Sequence, residues 1–129
     1  MAGEDKVGAW GVASEAEAVG DRMEGDVTAA REETAFVCLL RLVRPEAFAR
    51  PTPEEKAAIG AHYARLKEET EQGRVIVAGP CVDGAFGVLI FRAASPEEAR
   101  AFVEADPVVL GGVMTAEMHP FRISLLALR

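Results

Sequence analysis

Two short segments share one design, and together they constrain the topology more than any other feature of the chain. Thr52-Pro53-Glu54-Glu55 and Ser95-Pro96-Glu97-Glu98 each place a hydroxyl residue, a proline and, three positions after the hydroxyl, a glutamate. This is the pattern of a capping box. The hydroxyl accepts the N–H of the third helical residue, the glutamate accepts the N–H of the cap, and proline stands where its missing N–H costs nothing. Two helices are therefore expected, one from Thr52 to about Gln72 with Gly73 as its stop, the other from Ser95 to near Ala105, just before Asp106-Pro107. Around them lie runs of strand character: Ala35–Leu42 (AFVCLLRL), Val75–Ala78, Phe86–Arg92 (FGVLIFR), a strand around Met114–His119 after a turn over Val108–Gly112, and a last extended segment, Phe121–Leu128 (FRISLLAL). The order β-α-β, β-α-β predicts an α+β chain of the ferredoxin-like βαββαβ type.

The strands add a constraint. In VCLL and VLIF consecutive residues, which point to opposite faces, are all apolar. A sheet with helices on one side needs only one apolar face, so the other face requires a cover. A homodimer packed sheet to sheet is the expectation.

Charge divides the chain. Residues 1–34 hold nine acidic residues against three basic ones, six of the seven net negative charges. The expected organisation is an acidic N-terminal extension over 1–34 and a domain over 35–129. Within the extension Val12, Ala16, Val19, Met23, Val27 and Ala30 recur at helical spacing, interrupted by Gly20 and Gly25, and Trp10 is the lone tryptophan. This reads either as an acidic tail or as a marginal helix that docks on a surface, with Trp10 as anchor and the partner subunit among the surfaces it would contact. No basic patch suggests nucleic acid. No apolar run approaches the roughly 18 residues of a membrane helix. The start, MAGEDKVGAW, lacks the basic-then-apolar layout of a secretory signal, so a cytoplasmic location is expected. Cys38 and Cys81 have no metal-ligand spacing, and no phosphate loop is present; no metal or cofactor is expected.

Two polar residues stand in apolar company. At 100° per residue Ile59, Tyr63 and Leu66 form a stripe towards the sheet, and His62 falls about 60° from Ile59. In the second helix Ala99, Phe102 and Val103 form the stripe and Asp106 continues it, placing its carboxylate at a helix C-terminus, where the dipole disfavours it unless a donor compensates. Both helices lie on one face of such a sheet, so His62 and Asp106 can meet. An aspartate on one imidazole nitrogen fixes the tautomer and frees the other nitrogen for proton transfer. The alternative is a structural histidine beside a helix-terminal aspartate. Tyr63 could present a hydroxyl at the rim of such a site. His119 could line the same cavity or lie on the surface. Arg41 and Arg44, at the end of the first strand, could hold an anionic group. Cys38 reads as a core residue, Asp83 and Gly84 as a turn; nothing in the sequence activates Cys81 or Ser124.

The stretches His62-Tyr63-Ala64-Arg65-Leu66, Val77-Ala78-Gly79-Pro80, Ser95-Pro96-Glu97-Glu98-Ala99 and Glu104-Ala105-Asp106-Pro107, with Gly111 and the closing Glu117-Met118-His119-Pro120-Phe121, resemble in their order the YCII-related family over about residues 35–129. The resemblance implies a dimeric ferredoxin-like fold of the dimeric α/β-barrel superfamily, and a site built from a helix histidine and the aspartate of an xADP motif, the positions of His62 and Asp106. For chemistry it implies either elimination of chloride from a chlorinated hydroxyquinol-type ring, as in one branch of the family, or the isomerase and cofactor-independent oxygenase reactions of the wider superfamily. The proline-rich loop Arg44–Pro51 and the acidic extension depart from the family pattern.

Three functional expectations follow. The first is a cofactor-free lyase or isomerase acting on a small cyclic metabolite, with His62 as acid or base, Asp106 orienting it, and Arg41, Tyr63 and His119 as substrate contacts. The second is a non-catalytic dimer that binds a small ligand or a partner protein. The third is a cofactor-independent oxygenase.

Overall fold

The alternation of AFVCLLRL is realised in the first strand. In the computed structural model of the protein, which describes residues 34–127, β1 spans Ala35–Leu42 and buries Phe36, Cys38 and Leu40 on one face. The readings for residues 1–33 lie outside the described residues. Four strands form one antiparallel sheet: β1, β2 (Val75–Pro80), β3 (Gly87–Arg92) and β4 (Met114–Phe121), in the order β2-β3-β1-β4. The register pairs Cys38 with Leu89 on one side and with Met118 on the other. Helices α1 (Pro53–Glu71) and α2 (Pro96–Glu104) both contribute to the core on the Phe36 face, where Leu66, Ala99, Phe102 and Val103 meet Val75, Leu89 and Phe91. The Phe91 and Phe102 rings lie 4.8 Å apart, within the range of favourable aromatic pairs. This is the ferredoxin-like α+β arrangement. Val37, Leu39, Val88 and Ile90, half-buried, occupy the other face.

Local chemistry explains the helix ends. At Thr52 the box is complete: the Glu55 N–H donates to Oγ1 of Thr52 over 3.1 Å and the Thr52 N–H donates to Glu55 over 2.8 Å. At the far end Gly73 takes φ 88°, while the Arg74 N–H reaches the Glu69 carbonyl and the Gly73 N–H the Thr70 carbonyl, a Schellman closure that only glycine enters cheaply. The second box is half of what its sequence predicts. Ser95 accepts the Glu98 N–H, but Glu98 accepts from Ala94, one residue further back than the cap.

Two expectations are corrected. The turn over Val108–Gly112 begins as a short helix, α3 (Pro107–Leu110), and Asp106 is its N-cap, accepting the Val108 N–H at 3.0 Å. Asp106 therefore stands at the favourable end of a helix rather than at the unfavourable end of α2, because Asp106-Pro107 repeats the cap-then-proline grammar of Thr52-Pro53. In the expected extended segment Phe121–Leu128, only Phe121 belongs to a strand, and residues 122–127 join no ladder.

Candidate active site

Helix α1 turns Ile59, His62 and Leu66 inward, yet only Leu66 among its residues is fully buried. Protein interiors are close-packed, and here residues of α1 and of the β2–β3 side of the sheet line a hollow of about 720 Å³. Its walls are mainly apolar, including Leu40, Ile59, Leu66, Phe86 and Met114, with Phe48, Tyr63 and Cys81 also in the lining. The size falls within the range of small-molecule sites. His62 supplies an imidazole to this wall.

The structure brings His62 and Asp106 together. Nδ1 of His62 lies 2.8 Å from Oδ1 of Asp106. The carboxylate is buried, with 3 % of its residue surface exposed, and every acceptor on it is used: Oδ1 also takes the Val108 N–H, and Oδ2 takes Nη1 of Arg65 at 3.1 Å. Burial pushes the Asp106 carboxyl up. The His62 hydrogen bond, the Val108 N–H and the charges of His62 and Arg65 more than reverse this and hold it below the usual aspartate range. Facing an ionised Asp106, Nδ1 of His62 is the nitrogen that carries the proton of this bond. Every buried side-chain nitrogen or oxygen among the described residues has a partner, and Nε2 of His62 makes no hydrogen bond to another of the described residues. That nitrogen is therefore open to solvent, on a residue that lines the hollow.

Arg65 went unread in the sequence. It lies three residues after His62, and so on the same helix face; that spacing was the available signal. Its Nη2 also donates to the Phe102 carbonyl at 2.9 Å, and its guanidinium carbon sits 4.2 Å from the Phe102 ring centroid.

The remaining candidates separate. Tyr63 lines the hollow, but 68 % of it is exposed, so it belongs to the rim and not to the inward stripe. Arg41 and His119 are not in the lining. They occupy odd positions of the β1–β4 ladder, opposite to the face of Phe36, Cys38 and Leu40, and both bind Glu117, Arg41 at 3.0 Å and His119 at 2.8 Å. Strand alternation thus turns both away from the face of Leu40, and of the two alternatives for His119 it is the surface one that the structure shows. Arg44 is engaged in a two-pronged bond to Glu55, at 2.8 and 2.9 Å. Cys38 is a core thiol with no exposed surface; burial, with the Asp106 charge adding to it, pushes it up to about 11, which leaves it unreactive. Cys81 lines the hollow as a free thiol. Among the described residues no cluster of His, Cys, Asp and Glu is arranged to hold a metal ion, and no helix is long and apolar enough to cross a membrane.

Comparison with known proteins supplies a family. Among solved structures the chain is similar to 5-chloro-2-hydroxyhydroquinone dehydrochlorinase (TftG) from Burkholderia phenoliruptrix AC1100, in complex with 2,5-dihydroxybenzoquinone. Identity is 21 %, over 67 % of this chain and 93 % of that one, with a TM-score of 0.48. No curated protein matches the chain. The model of the YCII-related domain matches residues 35–122, more than half of the sequence, and the chain belongs to the YCII-related family.

Proposed function

We propose that the protein is a cofactor-free lyase or isomerase that removes a proton from a small cyclic metabolite, with His62 as the base. One observation carries this reading: His62, a residue that lines an apolar hollow, is tied through Nδ1 to a buried, ionised Asp106, which leaves Nε2 as the nitrogen for proton transfer. In elimination, a chlorinated hydroquinone or hydroxyquinol reacts as its diketo tautomer, in which the chlorine-bearing carbon and its neighbour are both sp³. Nε2 takes a proton from that neighbour, beside a carbonyl. The C–H pair becomes the quinone double bond, and chloride leaves the adjacent carbon with its own pair. In isomerisation the imidazolium returns the proton to a different carbon. Asp106 stabilises the imidazolium across Nδ1–H in either case, and apolar walls strengthen that attraction by excluding water. Tyr63, at the rim, is assigned the hydrogen bond to a substrate oxygen. Elimination of halide from a hydroxylated ring is one of the reactions that the family resemblance implies.

The same proposal includes a homodimer. Val37, Leu39, Val88 and Ile90 form an apolar strip on the face that α1 and α2 leave uncovered, and a second copy of the sheet would bury it.

The test is halide release from a panel of chlorinated hydroquinones and hydroxyquinols. Acid–base catalysis by one side chain contributes roughly 10²–10⁴-fold, so His62→Ala is expected to lose at least about 10²-fold in rate while remaining folded. Full activity in that variant would refute the assignment.

A further inference from the structure

We infer that Arg65 is a positioning residue for the His62–Asp106 pair: anchored on the carbonyl and ring of Phe102, its guanidinium holds Oδ2 of Asp106 and so keeps Oδ1 for the Nδ1–H of His62. The inference rests on reading the two residues as an acid–base pair, but its test needs no turnover.

The geometry carries it. Asp106 Oδ1 has two donors, His62 Nδ1 at 2.8 Å and the Val108 N–H at 3.0 Å, while Oδ2 has Arg65 alone, at 3.1 Å. A carboxylate that turns part-way about its terminal bond misaligns the donors on both oxygens, whereas a half-turn restores the same arrangement because the two oxygens are equivalent. Arg65 opposes the rotation because its own position is set independently, by the 2.9 Å bond to the Phe102 carbonyl and the 4.2 Å stack on the Phe102 ring. Without Arg65, Oδ2 would be a buried anionic oxygen with no partner, a costly state. The carboxylate would turn or tilt towards water, and the Nδ1–H of His62 would lose its aligned acceptor. A neutral imidazole with no partner at Nδ1 places its proton on either nitrogen, and the tautomer carrying the proton on Nε2 cannot act as a base towards the hollow. Arg65 thus acts through Asp106 and makes no claim on substrate. Helix spacing supports the arrangement, since His62 and Arg65 are three residues apart on one face of α1 and reach opposite oxygens of one carboxylate.

The test is the tautomer of His62, read from the ¹⁵N chemical shifts of its ring nitrogens in the labelled full-length protein at a pH where the ring is neutral. In the wild type the proton is expected on Nδ1. In Arg65→Met the ratio of the Nε2–H to the Nδ1–H form is expected to rise at least about tenfold, the value of one charge-assisted hydrogen bond. Arg65→Gln, which keeps a polar head but no charge, gives the same readout should the methionine variant fail to fold. An arginine that only packs on Phe102 would lower the unfolding midpoint and leave the tautomer ratio unchanged, and that result overturns the inference. The two proposals fail separately. A tautomer shift with no halide release from any panel compound upholds Arg65 and removes the catalytic reading. An unchanged tautomer with turnover abolished in His62→Ala does the reverse.

Discussion

His62 binds the very oxygen of Asp106 that starts helix α3. Oδ1 lies 2.8 Å from Nδ1 of His62 and 3.0 Å from the Val108 nitrogen. The position of the candidate base is therefore coupled to a fold element, since Asp106 cannot turn away from His62 without uncapping the helix. A cap is worth about 0.5–2 kcal/mol, and burying the carboxylate is offset only while all three of its donors are present.

Replacing Asp106 separates its two roles. Asp106→Ala removes the cap and leaves the Arg65 charge unpaired beside the core, so a loss of about 3 kcal/mol or more is expected. Asp106→Asn keeps an acceptor for Val108 and is expected to cost less, about 1–2 kcal/mol, while abolishing the preference of His62 for the Nδ1–H form. Urea unfolding midpoints check the stability order. Equal losses in the two variants would contradict the capping role.

Acid stability follows from the depressed carboxyls. The Arg44 bond, helped by the Thr52 N–H, lowers Glu55 from 4.5 to about 2, and Asp106 is likewise held below its ordinary 3.8. A carboxyl whose folded value is depressed stabilises the fold above its unfolded value, and that contribution is lost as pH falls towards the folded one. The melting temperature is expected to be insensitive to these groups above about pH 5 and to fall between about 4.5 and 2. Arg44→Met should shrink the fall. Thermal melts across that range check it; an unchanged slope in the variant would contradict the role given to Arg44.

Gly84 and Phe48 fit one another at the wall of the hollow. Gly84 has φ 82°, and a Cβ there would lie 2.9 Å from the Phe48 ring. Gly84→Ala is expected to destabilise by about 1–2 kcal/mol, from left-handed backbone strain plus the displaced ring. In Phe48→Ala the steric part disappears, so a double-mutant cycle should return coupling of about 0.5 kcal/mol or more. Strict additivity would show that the ring yields freely.

The sheet face opposite α1 and α2 has its own test. Ile90→Asp puts a charge in the apolar strip on the side away from the helices. Sedimentation is expected to give a dimer for the wild type and a monomer for the variant. A monomeric wild type would remove the proposed dimer.

What the sequence revealed depended on the range of the physics. The Thr52 box and the stop at Gly73 are local, and both helix ends lie where those residues put them. The meeting of His62 and Asp106 was readable because the ferredoxin-like topology puts both helices on one face. The cap formed by Asp106 was missed because α3, at four residues, is too short to show a period. The outward placement of Arg41 was readable, since Arg41 follows Leu40, whose inward direction turns its neighbour outward, and His119 lies where the surface alternative put it. The hollow itself has no signature in the sequence. Its lining comes from α1, β2, β3 and the segments between them, a tertiary meeting that no pattern of residues along one helix encodes.

The central claim is that His62 takes a proton from carbon at the hollow, and the most direct measurement is deuterium incorporation in D₂O. The compound to follow by NMR is the non-halogenated analogue of whichever panel member releases halide, since it can lose a proton but cannot eliminate. The wild type is expected to replace the ring hydrogen beside the hydroxyl with deuterium, and His62→Ala to leave it in place at the uncatalysed rate. Exchange at the wild-type rate in His62→Ala would contradict the account.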